Sequence, residues 1–101
     1  MKTTREQVYK AVDSERDFQD FHWQNPDGSG TPNPLTVGEN LLLIEEYAAR
    51  ARSEWSKEGR PEMRTLNMIR KIAGIAVRCL EEHGAPFRGM GESPVKYDDG
   101  E

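Results

Sequence analysis

One cysteine, Cys79, stands in this chain of 101 residues. A single thiol excludes a disulfide framework within the chain and makes a reducing cytoplasm the expected compartment. Long apolar runs are also missing: no stretch approaches the ~20 residues that cross a bilayer. The opening MKTTREQ is too polar for a secretory signal, so no membrane is expected as a partner. Positive charge is in deficit. Lys and Arg number 14 against 18 Asp and Glu, a formal charge of −4, so no global basic field awaits a DNA or RNA polymer. Hydrophobic types make up only 35% of the residues, which supports one domain with a modest core. Such a core does not enclose a nucleotide-sized ligand, and a cleft shared between subunits is expected instead. Nucleophile elbows, P-loops and dinucleotide fingerprints are absent, as are internal repeats and hairpin signatures.

What is present is helical. Pro61 to His83 reads as the innermost helix of a small all-α bundle, opened by Pro61 and stopped by Gly84 and Pro86. Leu66, Ile69, Ala73, Ala76 and Leu80 recur at helical spacing, and Met68, Ile72, Ile75 and Cys79 fill a second flank. So apolar a helix is expected to be packed on most sides. Its remaining stripe is Arg64, Asn67, Lys71, Gly74 and Arg78, with Arg70 at the edge. Gly74 admits a close approach, either of a ligand or of a crossing helix.

Two further helices are expected. Thr3 with Glu6 forms a capping box for a first helix of about 4–21, whose apolar side holds Val8, Ala11, Val12, Phe18 and His22. Glu15 falls on that apolar side, where an unpaired carboxylate costs several kcal/mol, so it needs an arginine partner or a chemical task. Thr36 with Glu39 opens a second helix of about 37–57, with Leu41, Ile44, Ala48, Ala51 and Trp55 as its core stripe. Leu42 and Ala49 form a narrow second strip above Gly38, suited to another subunit, so a homo-oligomer is expected. The short link before Pro61 makes helices two and three antiparallel neighbours. Residues 22–36, rich in Pro, Gly and Asn, read as a long loop. Residues 1–84 form the expected helical domain and 85–101 an irregular tail.

The order of segments resembles a known group. SERDFQDFHW followed by NPDG is similar to the ERxxQxxxWG and HPDG opening of MazG-like nucleotide pyrophosphohydrolases and their phage-encoded relatives. LLLIEEYAARA and IRKIAGIAVRCLEEHG resemble that group's second and third helical segments, so the likeness covers about 13–84. It implies an all-α fold, assembly into dimers or larger, and a nucleotide-phosphate site between helices. The group's catalytic members hold Mg²⁺ with paired carboxylates on two helices. This chain departs from that pattern. Ala48 and Ala49 follow Glu45 and Glu46 at the i+3 spacing, and Arg70 and Lys71 stand where acidic residues are implied.

Three readings follow. The first is a phage-type protein that binds or sequesters an anionic, cyclic or linear, nucleotide without turnover and without a cofactor. Arg70, Lys71 and Arg78 would meet phosphates, because arginine neutralises them directly, Trp23 and His22 would meet a base, and Arg16 is a further expected ligand-binding residue. Its expected location is the cytoplasm, that of the host if phage-encoded. The second is a Mg²⁺-dependent NTP pyrophosphohydrolase using Glu15, Glu45 and Glu46 as metal ligands. The third is a small structural or protein-interaction domain.

Overall fold

The computed structural model describes residues 2–22 and 35–89, and for His22 the backbone alone. The expectations placed on Trp23, on the His22 side chain and on the tail beyond 89 lie outside the described residues. Three helices make up the fold: α1 (Arg5–His22), α2 (Val37–Trp55) and α3 (Glu62–His83). No strand occurs among the described residues.

The helix starts follow from side-chain caps. Thr4, not Thr3, opens α1. Its Oγ1 accepts from the Gln7 N–H at 3.1 Å, and Gln7 Oε1 accepts from the Thr4 N–H at 2.9 Å. The one-residue shift leaves Glu6 in the first turn, where a negative charge complements the helix dipole. The expected Thr36/Glu39 box opens α2, with bonds of 3.0 and 2.8 Å. α2 ends at Trp55, two residues short of expectation. There Ser56 turns back, its N–H and Oγ both donating to the Arg52 carbonyl, at 3.1 and 2.8 Å. Gly59 at φ +84° then reverses the chain, and Pro61 sits just outside α3 as its cap.

α3 is the central element. It packs against both α1 and α2, which make no backbone-level contact with each other among the described residues. α2 and α3 run antiparallel. Arg64 Nε meets Glu54 Oε2 at 3.2 Å at one end, and His83 Nε2 lies 2.7 Å from the Leu35 carbonyl at the other. α1 crosses α3 at Gly74. A Cβ there would lie 2.8 Å from both Glu15 Cγ and Gln19 Nε2, a distance no real side chain tolerates.

The burial pattern corrects the expected core. Among the described residues only Ala51 and Ile75, 8% and 1% exposed, are buried hydrophobics. The other buried side chains are Glu15, Arg16, Gln19, Asn40 and Arg78, beside Gly74. On α3 the stripe expected to stay polar and half-exposed contains the buried Gly74 and Arg78, while Leu66 and Ile69 are each 50% exposed and Leu80 45%. On α1, Val8, Ala11 and Phe18 are exposed and the polar Glu15, Arg16 and Gln19 are buried. On α2 the inward face is Asn40, Ile44, Ala51 and the half-buried Glu54, and Leu41, Ala48 and Trp55 are exposed. Helical periodicity marks an apolar stripe correctly, but it does not say whether the same chain covers it.

Candidate functional site

The α1–α3 crossing is a polar clasp built from the segment Glu15–Arg16–Gln19. Residues 15 and 19 are one turn apart, so their side chains leave the same face of α1. Glu15 Oε1 accepts from Arg70 Nε at 2.9 Å, and Oε2 accepts from Gln19 Nε2 at 3.2 Å. Gln19 Nε2 also donates to the Lys71 carbonyl at 3.3 Å, and Arg70 Nη1 to Asn67 Oδ1 at 2.6 Å. Of the two functions open to Glu15, a salt bridge to a neighbouring arginine is the one seen.

Arg16 forms the second half of the clasp. Its Nε and Nη2 donate to the two Glu81 carboxylate oxygens, both at 2.8 Å, and Nη1 donates to Asp20 Oδ1 at 2.9 Å. This bidentate geometry is the strong form of an arginine–carboxylate contact. It raises the Arg16 pKa above its already high value, with the Glu81 hydrogen bond as the main cause. In return, the Arg16 hydrogen bond holds Glu81 below the usual carboxylate range, helped by the charges of Arg16 and Arg78. Arg78 is buried and donates from Nε to Glu82 Oε2 at 3.1 Å.

Three of the four cations expected to bind the ligand, Arg16, Arg70 and Arg78, are thus engaged with carboxylates of this chain. Lys71 makes no ion pair among the described residues. It shares an open depression of about 320 Å³ with Ser14, Glu15, Phe18 and Arg70. Phe18 is 55% exposed, so an aromatic face adjoins the Lys71 and Arg70 cations.

The carboxylates of the enzyme reading are not brought together. Glu15 is on α1 and Glu45 and Glu46 are exposed on α2, and these helices share no backbone-level contact among the described residues. Glu46 is paired with Arg50. No group of three or more His, Cys, Asp or Glu suited to a metal occurs among the described residues. The described residues also include no helix long and apolar enough to cross a membrane.

Four partners in the clasp and core escaped sequence reasoning. Gln19 was legible as an i+4 neighbour of Glu15. Asp20 was legible in the same way, as the i+4 neighbour of Arg16, but Glu81 was not, since nothing local links it to Arg16 across 65 positions. Asn40 carries a side chain that donates to the Thr36 and Leu35 carbonyls at 2.9 and 3.3 Å, which ties the start of α2 to the chain before it. Comparison of the chain with protein-family models, with curated proteins and with solved structures found no match.

Proposed function

We propose that this chain is a helical self-association module whose fold is completed by further copies of itself. The observation that carries the reading is the inversion of its interior: charged and amide side chains fill the α1–α3 crossing while Val8, Leu66, Ile69 and Leu80 face outward. Burying an apolar side chain of this size is worth about 1.5–3 kcal/mol. A fold that leaves a row of them in water gains most of its stability when a partner covers them. The α2 strip at Leu42 and Ala49, exposed as well, offers a second such surface. For an assembly of this kind the unfolding midpoint rises with protein concentration. Thermal melts over a hundredfold concentration range test this, and a concentration-independent midpoint contradicts it.

A second reading is supported by the depression at Lys71. Ser14 and Phe18 give it a hydroxyl and an aromatic face, and, with Arg70 paired to Glu15 there, Lys71 supplies the cation for an anionic nucleotide. This is also the site class that the MazG-like resemblance implies. A ligand at ~100 times its Kd adds about 2.7 kcal/mol of stability. A panel of linear and cyclic nucleotides, with and without Mg²⁺, therefore tests it by thermal shift. The reading expects a Mg²⁺-independent shift that Lys71→Ala removes and Glu45→Ala spares. A shift that needs Mg²⁺ and is lost in Glu45→Ala or Glu46→Ala favours the hydrolase instead.

A further inference from the structure

The outward row of α3 has the spacing of a coiled-coil seam. Leu66, Ile69, Ala73, Ala76 and Leu80 are separated alternately by three and four residues. This is the a/d pattern that directs knobs into the holes of a facing helix. Leu66, Ile69 and Leu80 are exposed, and Ala73 and Ala76 are half-buried. The first half of the row also forms one wall of a groove of about 350 Å³. Met63, Leu66 and Ile69 of α3 face Val8, Ala11 and Val12 of α1 across it.

We infer that this groove is filled by α3 of a second copy, packed antiparallel about a two-fold axis. The inference rests on the self-association reading and names its interface. The seam is complementary to itself in one register. With the axis at the level of Lys71, Leu66 faces the second copy's Ala76 and Ile69 faces its Ala73, and the two-fold repeats both pairs. Each of the four central layers then sets a large residue against a small one, the arrangement that interdigitates to native density. The second copy's Leu80 enters the groove beside Met63 and Val8. A parallel pairing fails this criterion, since it sets Ala73 on Ala73 and Ala76 on Ala76 and leaves voids in two layers. Shifting the antiparallel register by one heptad step sets Ala73 on Ala76 and leaves voids again. An isologous contact of this kind closes on itself and does not propagate into a filament.

The proposal is tested by co-expressing two differently tagged copies, one Ile69→Cys and the other Ala73→Cys, both with Cys79→Ser, and oxidising them mildly. The expected product is the mixed disulfide between the two variants, in excess of either self-linked species. Dominant 69–69 and 73–73 products overturn the antiparallel register. If light scattering shows oligomers that yield no cross-link, the seam is not the interface, although self-association stands. Monomers at high micromolar concentration overturn both. A swap of sizes gives a second readout. Ala73→Leu alone sets Leu against Ile in both of the symmetry-related layers and weakens association by roughly tenfold or more, the cost of overpacking. The double variant Ile69→Ala with Ala73→Leu restores large-on-small packing and association, while failure of the double variant to recover contradicts the register. Circular dichroism confirms that each variant remains helical.

Discussion

The Glu15 carboxylate accepts a hydrogen bond from Arg70 Nε at 2.9 Å across the α1–α3 crossing, with Glu15 only 6% exposed. This pair joins helices whose remaining contacts there are also polar, so its loss is felt in the fold before it is felt in any ligand. Arg70→Ala leaves a buried carboxylate with the Gln19 amide alone. Breaking a fully buried pair costs about 3–5 kcal/mol. Arg70 is more than a third exposed, and solvent screening reduces the expected loss to about 1–2 kcal/mol. Lys71→Ala, which breaks no ion pair seen here, is expected to cost under about 0.5 kcal/mol. Denaturant titrations of the two variants decide it, and equal losses contradict this account of the clasp.

Gly74 gives a sharper packing test. Alanine is favoured over glycine inside a helix by about 1 kcal/mol. Against this gain, the new methyl meets Glu15 Cγ and Gln19 Nε2, each 2.8 Å from the Cβ position and held by hydrogen bonds. Overpacking costs typically 1–3 kcal/mol, so Gly74→Ala is expected to destabilise by about 1 kcal/mol and Gly74→Val by more. A stabilised Gly74→Ala protein shows that α1 does not cross here.

Acid should loosen the other half of the clasp. Folding lowers the Glu81 pKa, chiefly through the Arg16 hydrogen bond. The contribution of the pair is therefore complete above the ordinary glutamate value of about 4.3, and it is lost as pH falls through the lower folded value. Glu81 is half-exposed, so the effect is small. Glu81→Gln is expected to flatten this part of the stability–pH curve, measured by denaturant midpoints between pH 6 and 3. An unchanged slope rules out the pair as its source.

The elements were legible in the sequence because their signals are local. Thr36 with Glu39, Pro61 and Gly84 each act within one turn of their own position, and the start of α2 and both limits of α3 lie one residue from them. The first cap slipped by one residue because Thr3/Glu6 and Thr4/Gln7 both satisfy the same pattern. The faces were less legible. Glu15 stood out as a carboxylate on an apolar side and needed an arginine, yet choosing Arg70 required the crossing at Gly74. Arg78 read as a cation open to phosphate, and Arg16 as one open to a ligand, because Glu81 and Glu82 lie at the far end of the helix. In three dimensions the bidentate reach of Arg16 and one helical turn close those distances.

The α2 strip offers an independent check on assembly. Leu42 is exposed on α2, and the clasp lies at the α1–α3 crossing, so Leu42→Glu should leave helicity and the Glu15–Arg70 pair intact. If the strip takes part in assembly, the variant lowers the average mass at a given concentration. A mass equal to wild type assigns assembly to the other apolar face alone.

Sedimentation equilibrium from one to several hundred micromolar tests the central claim most directly. The account predicts masses at or above twice the 11.5 kDa of one chain, falling toward a single chain on dilution and in Leu66→Glu. A single-chain mass throughout, together with a cooperative melt, would contradict it.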